Sequence, residues 1–525
     1  MYYFILFLLI YILCDAFTHN EHSGLQQYAR EAPAPVECET ETILELEHIC
    51  SNNYYREVSS DDTPFSTSIW FSRRFWVAVV VFLCFTNVVM LMCSVNIAIV
   101  EMTSSKNVTI GNKTVERPPE FAWNSATIGI VSSVFLYGEL LSFFSGFFVN
   151  KLGGSTSGSL CMLVGGVLTI LQPATLYFDY NLFLVNRFVT GCFVVSFFVS
   201  TAQIYSQWFP KKERSTLISL CYNGSSVGVT ISYPLFGYVA AGWGWQMVFY
   251  MAGAISVIFA IVCVIFVKNC PTQDGCISDK ELRYILDGTD DLQREQNTSH
   301  PYRKILLSAP VLAVCFAKFT LLWIDVIVAG CLPLYVKDLT GESTDQVGLI
   351  SSIPTAVEIL IYPLAGALLD FWKNNTDIKL TRMHKITVST SYISTGVFFV
   401  GLTLSTSFTL SMAFFVLIQI ALSVVPPVLE PIIVNVAPND SSVVAGLALF
   451  FGSIGTIIAR TLTGFMTIDN TLQEWNNCFL LASAVLVSTV VIFARYGSSE
   501  AQSWSSTSSS LPSSTDGERD RLIRE

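Results

Sequence analysis

An all-helical membrane protein of twelve spans in two halves of six is the fold class this sequence predicts, and three observations carry the reading. Of its 525 residues, 52% are hydrophobic and only 13% are charged, about half the charged share of a soluble domain. The apolar residues fall in uninterrupted runs of about twenty, the length at which a helix rising 1.5 Å per residue crosses a hydrocarbon layer. Lys and Arg, finally, gather in alternate loops, as they do in loops kept in the cytosol. The net charge of −11 lies mostly in the termini and the central loop, which excludes a basic face for nucleic acid. The fourteen cysteines are mostly single residues inside apolar runs, such as Cys84, Cys93, Cys161, Cys192 and Cys315. They read as small buried hydrophobes, and no metal spacing is present.

The elements follow in chain order. Residues 1–17, MYYFILFLLIYILCDAF, form an apolar run of signal-peptide length without its basic start. Cleavage there would leave 18–72 outside and invert every later helix, so an uncleaved extra hydrophobic segment, or a misplaced start, is preferred. A polar cytosolic region reaches residue 72; Cys38 and Cys50 lie within it and, on that side, are not expected to pair. Apolar runs closed by charges or turn residues place six spans at 76–100, 126–149, 157–177, 183–205, 216–240 and 246–267, an N-terminal half over 73–268. The polar linker 269–305 contains CISDKELRYI, where Ser278 can cap a short surface helix with Glu281 three residues on. Spans at 306–333, 346–369, 384–405, 409–434, 441–467 and 476–495 make the C-terminal half over 306–496. Beyond it, 497–525 is rich in Ser and charge and is expected to be a disordered cytosolic tail.

Orientation comes from two signals. Arg73 and Arg74 precede the first span, Lys151 follows the second, Lys211, Lys212 and Arg214 follow the fourth, Lys268 through Lys304 fill the linker, and Lys373, Lys379, Arg382 and Lys385 follow the eighth. The opposite loops hold little beyond Lys106, Lys113, Arg117 and Lys337, so both ends of the twelve-helix body face the cytosol. The first external loop carries glycosylation sequons at Asn107 and Asn112, which only a lumenal or extracellular loop could use.

Several stretches keep one order and spacing: CSVNIAIVEM (93–102), NRFVTG (186–191), QWFPKKERSTLIS (207–219), GWGWQMVFYMAGA (242–254), VGLISSIPTAVEILIYPLAGALLDF (347–371), VAPNDSSVVAGL (436–447) and LQEWNNCFLLAS (472–483). Through them, residues 74–504 resemble the anion:cation symporter family of the major facilitator superfamily, which includes sialin, the vesicular glutamate transporters and the sodium-phosphate cotransporters. The resemblance implies two six-helix halves around a central cavity that opens alternately to each side. It implies a secondary active transporter of small organic or inorganic anions, coupled to a proton or sodium gradient, with no other cofactor. GFFVNKLGG (146–154) and GALLDFWK (366–373) resemble the superfamily's paired conformational loops, with Asn150 in place of the acid in the first. Asp370 in the second, with Glu213 and Arg214 after the fourth span, suits a cytosolic latch between the halves.

Inside the bundle the sequence departs from the family. The first span has no Arg, Val194 and Ala202 replace the Glu and His frequent in the fourth, and Leu321 replaces an Arg in the seventh. Other charges stand in the spans instead: Glu139, Lys318, Asp325, Glu358, Glu430 and Arg460. Facing lipid, each would cost about 2.5 to 3.5 kcal/mol, so they are expected to face the interior. Lys318 and Asp325, seven residues apart, share one helix face about 10 Å apart along the axis, too far for a direct bond. Two readings stay open. Lys318 or Arg460 attracts an anionic substrate while Glu139 or Glu358 titrates or holds a cation, or the charges form fixed interhelical ion pairs. Arg187 and Tyr137 match family residues of the fourth and second spans and join the candidate pathway, with packing roles as the alternative.

In the tail, Glu518, Leu522 and Ile523 resemble an acidic dileucine signal read by adaptor proteins, which would place the protein in endolysosomal or vesicular membranes rather than at the plasma membrane. A receptor that has lost transport, or an anion channel, is the competing function. An enzyme is not expected, because no nucleophile, metal or phosphate-loop constellation stands out. The expected partners are the lipid bilayer and a small anionic solute.

Overall fold

The computed structural model describes residues 72–103, 106–110, 113–289, 302–330, 332, 335–336, 344–405, 407–468, 471–502 and 504. The apolar segment 1–17, Asn112, and the signal at Glu518, Leu522 and Ile523 lie outside them.

Over its described residues, each span expected from the sequence is largely helical. The N-terminal half comprises α1 (Arg73–Thr103), the bent pair α2 (Ser125–Glu139) and α3 (Ser142–Leu152), α4 (Gly154–Phe178), α5 (Tyr180–Trp208), α6 (Arg214–Trp243) and α7 (Trp245–Phe266). A short hairpin of β1 (Lys106–Ile110) and β2 (Lys113–Arg117) lies between α1 and α2, with Asn107 opposite Glu116. In the linker lie α8 (Asp279–Gly288) and α9 (Tyr302–Leu306). The C-terminal half comprises α10 (Ala309–Asp325), α11 (Thr344–Asn375), α12 (Leu380–Thr403), α13 (Phe408–Leu422) with α14 (Pro426–Val436), α15 (Ser441–Met466) and α16 (Leu472–Tyr496). By length and composition, 10 of the described helices can cross a membrane, or 11 with the bent pair as one span. The remaining span is α6, whose polar residues Ser219, Asn223, Ser226 and Ser232 are buried against other helices rather than turned to lipid.

Each half has its own apolar core, α1 packing on α6 and α7 in the first and α10 on α15 in the second. Across the halves, α6 meets α11 and α3 meets α15. Their contact is close because the residues are small. A Cβ on Gly366 of α11 would come within 2.6 Å of the Ser215 carbonyl of α6.

Among the described residues, hydrogen bonds between the halves run from the basic end to mid-span. Thr216 N–H donates to Asp370 at 2.7 Å, Asn150 to Asp440 at 2.9 Å, and Asn374 to the Lys212 carbonyl at 3.0 Å. At mid-span, Ser226 donates to Glu358 at 2.8 Å. These bonds seal the halves at the basic end, and the lining of the cavity between them extends toward the hairpin end, as far as Asn96 of α1 and Arg460 of α15. Gly366→Leu should therefore overpack this seal by roughly 1–3 kcal/mol and shift the protein toward the form open at the basic end by about 5- to 150-fold. Maleimide labelling from the basic side of a cysteine placed by Thr201→Cys, which lies below the cavity, should rise in the Gly366→Leu background; unchanged labelling would refute the role of this contact.

The linker helix differs from expectation in one detail. Ser278 caps α8 by accepting from the Glu281 N–H at 3.3 Å. The Glu281 carboxylate accepts instead from the backbone N–H groups of Arg73 and Arg74, at 3.0 and 3.1 Å. It caps the otherwise orphaned first turn of α1, which satisfies more buried donors than a return to its own helix would.

Candidate functional site

Three spans break where they carry charge. Glu139 ends α2 at a 44° bend into α3. Asp325 ends α10, where a π turn over Val326–Gly330 follows. Glu430 sits in α14, which restarts the tenth span at Pro426 and contains Pro431. Prolines remove helix donors, and a π turn loosens the ladder, so polar backbone and side chains are released toward the interior rather than toward lipid. The position of α2 depends on a close approach to α5: a Cβ on Gly138 would sit 2.2 Å from the Phe188 carbonyl, and one on Gly191 2.3 Å from that of Phe135. Both Glu139 of α2 and Arg187 of α5 line the cavity that this contact borders.

The resulting cavity has a volume of about 360 Å³ and is lined by Glu139, Arg187, Lys318, Asp325, Glu358 and Arg460. Glu430 lies below the floor, in a void of about 10 Å³ that shares Phe198, Tyr222, Lys318 and Leu449 with the cavity. Those four residues, two from each half, separate the cavity from the basic end.

Lys318 forms an ion pair with Glu430 at 2.5 Å, buried at 3% and 12% side-chain exposure. Its ammonium also stands over the Tyr222 ring of the other half, 5.4 Å from the centroid. Glu358 accepts from Ser226, Tyr362 and Gln419. Arg460 and Asp325 are exposed to the cavity and make no hydrogen bond with a described residue. Arg460 lies within electrostatic reach of both Glu139 and Asp325. Glu139 accepts a long hydrogen bond from Ser453, at 3.4 Å, and its Oε1 has no partner among the described residues.

Arg187 is the outlier. It is 2% exposed, its Nε and Nη1 groups have no acceptor among the described residues, and its guanidinium lies over the Phe135 ring at 4.9 Å. A buried guanidinium without acceptors is costly unless something supplies them. Tyr137 is not in this site. Ser132, Phe135, Leu136 and Glu139 form the cavity stripe of α2, and at 100° per residue Tyr137 turns away from it, 49% exposed.

The latch candidates meet at the basic end. Asp370 accepts from the Ser215 and Thr216 N–H groups and from the Thr216 hydroxyl, capping α6 across the half interface. Arg214 donates to the Phe209 carbonyl at 3.0 Å and to Asn435 of α14. Glu213 pairs with Arg74 at 2.8 Å and accepts from Tyr284 at 3.2 Å. Burial, and then the Glu213 carboxylate, push the Tyr284 hydroxyl up to about 12, so it remains a donor at physiological pH. Gln419, Tyr222 and Tyr362 were not singled out from sequence; a lone Gln inside an apolar run is the signal that would have found the first.

A family model described as the Major Facilitator Superfamily matches residues 75–382 and 314–515. Vesicular glutamate transporter 3 of Danio rerio is 26% identical over 441 residues, covering 82% of this chain and 73% of that one. Vesicular glutamate transporter 2 of Homo sapiens is 25% identical over 440 residues, covering 82% and 75%. In fold, the chain is similar to a proton:xylose symporter bound to 6-bromo-6-deoxy-D-glucose, with a TM-score of 0.63, 13% identity and coverage of 82% and 97%. A human organic anion transporter follows at a TM-score of 0.58, 13% identity and coverage of 80% and 98%.

Proposed function

The chain belongs to the major facilitator superfamily, among relatives of the anion:cation symporter family, and on that premise we propose that it moves a small organic anion by alternating access, driven by a proton or sodium gradient. It is a multi-pass membrane protein and a secondary transporter; the substrate class, the coupling ion and a vesicular, endolysosomal or plasma membrane address are the proposed part.

The observation that carries the reading is Arg187, whose buried N–H groups face the cavity without an acceptor. A carboxylate entering from the hairpin end would supply two, in the fork geometry guanidinium favours. Glu139, with an unpartnered oxygen at a helix break, and Glu358, bridging α6 to the second half, are the proposed coupling residues. Protonating either weakens its hold on a donor of the opposite half, which is how a carried proton would bias the two forms.

Purified protein in liposomes should accumulate a labelled carboxylate above its external concentration when a pH or sodium gradient is imposed. Uptake that stops at equilibrium would favour a channel, and binding without flux would favour a receptor; either outcome refutes the proposal.

A further inference from the structure

A form open at the basic end needs a closure at the hairpin end, and α15 with the bent pair α2 and α3 holds the parts for one. Ser442, Gly446, Ser453 and Arg460 follow one another along α15 at spacings of four, seven and seven, so they share one helix face. That face meets the bent pair less closely with each step away from the basic end. A Cβ on Gly146 would come within 2.7 Å of the Ser442 carbonyl, and one on Gly446 within 2.6 Å of the Ser142 carbonyl. Ser442 donates to the Gly146 carbonyl at 3.0 Å and Ser142 to the Gly446 carbonyl at 3.4 Å. One level up, a single long bond from Ser453 to Glu139 spans the halves at 3.4 Å. At the last level Arg460 acts on Glu139 through electrostatics, without a hydrogen bond.

Both side chains are built to close that gap. Long side chains lean toward the N-terminus of their helix. Since α15 runs from the basic end to the hairpin end, Arg460 leans back toward the level of Ser453; α2 runs the other way, so Glu139 leans up toward Arg460. Seven residues of helix separate Ser453 from Arg460 by about 10 Å, a rise that an extended Arg and Glu together can span. Glu139 Oε1, moreover, has no partner among the described residues. The other acid within electrostatic reach of Arg460 is Asp325, on α10 of the same half. Rocking one half against the other leaves that distance nearly fixed, whereas the distance to Glu139 changes. Only an interaction that differs between two forms can bias them.

We infer that Glu139 and Arg460 close into a direct ion pair when the hairpin end shuts, so that Arg460 is a positioning residue that latches the form open at the basic end. The inference rests on the alternating-access reading and gives one proposed coupling carboxylate its partner in the second form.

The full-length protein carrying Thr201→Cys, a position below the cavity, is labelled with maleimide from the basic side, with the same chain lacking that cysteine as background. No solute is needed. Glu139→Gln and Arg460→Gln should each lower the labelling rate about fivefold or more, within the range of ordinary coupling between sites. The double variant should fall no further than either single one, as expected of two residues that act through one contact. Arg460→Lys keeps the charge and should restore most of the rate, and Asp325→Asn, which frees Arg460 from its own half, should raise it. Each variant is checked for a monodisperse elution profile. Rates unchanged in both single variants, losses that multiply in the double variant, or a fall with Asp325→Asn as large as that with Arg460→Gln would overturn the latch and leave alternating access standing. No labelling from the basic side in any variant, Gly366→Leu included, would overturn both.

Discussion

Arg187→Leu should leave a protein that is more heat-stable and nearly inert. In the solute-free form the guanidinium is buried with two N–H groups unanswered and one aromatic contact. Its desolvation penalty is several kcal/mol, against about 1–2 kcal/mol returned by the Phe135 face. A Leu, shorter and apolar, removes the penalty, so the thermal midpoint should rise. Binding should respond in the opposite sense. Losing one partner of a buried charge pair costs about 2–5 kcal/mol, roughly 30- to 5,000-fold in affinity for the carboxylate. A lowered midpoint together with retained transport would show that Arg187 is a packing residue. Stability gained where activity is lost is the pattern of a group kept for its ligand rather than for the fold.

Lys318 and Glu430 should show the reverse pattern in single variants. Lys318→Ala strands the Glu430 carboxylate, and Glu430→Leu strands the Lys318 ammonium; each is expected to destabilise the protein by about 3–5 kcal/mol, read as a fall in thermal midpoint. The double variant Lys318→Met with Glu430→Leu removes both charges and should recover most of that loss, since replacing a whole buried pair with apolar groups is often neutral or better. Uptake separates the two readings of these intramembrane charges. If the pair is a fixed strut, the stable double variant transports normally. If Lys318 works at the cavity floor, where its ammonium spans to Tyr222 of the other half, the double variant is stable and uptake stays at least about tenfold reduced, the cation–π contact across the floor having been lost. The second outcome is expected.

Much of the scaffold was legible from the chain. Each described span lies within a few residues of its apolar run, because lipid admits only long helices and rewards nothing subtler than length and apolarity. The alternation of basic loops likewise needed no coordinates. Ser278 was readable as a helix cap, since a cap is a local contact. The destination of Glu281 was not, since the first turn of α1 that it caps lies about two hundred residues away in the chain. Tyr137 failed for a related reason: a family match places a residue in a helix, but only the packing of α2 on α5 decides which way that helix is turned.

The site shows the same division more sharply. Composition was enough to predict that Glu139, Lys318, Asp325, Glu358, Glu430 and Arg460 would turn inward, because the cost of exposing a charge to hydrocarbon depends on the residue alone. Their partners depend on geometry. Lys318 finds Glu430 on another helix of its own half, Glu358 is held by Ser226 of the opposite half and by Gln419, and Arg187, among the described residues, finds the Phe135 ring. The sequence by itself determined the solvent, the spans and which residues are too costly to leave in lipid. Only the tertiary structure decided which charges are neutralised and which remain open to a solute, because pairing is set by distances of a few ångströms between helices remote in the chain.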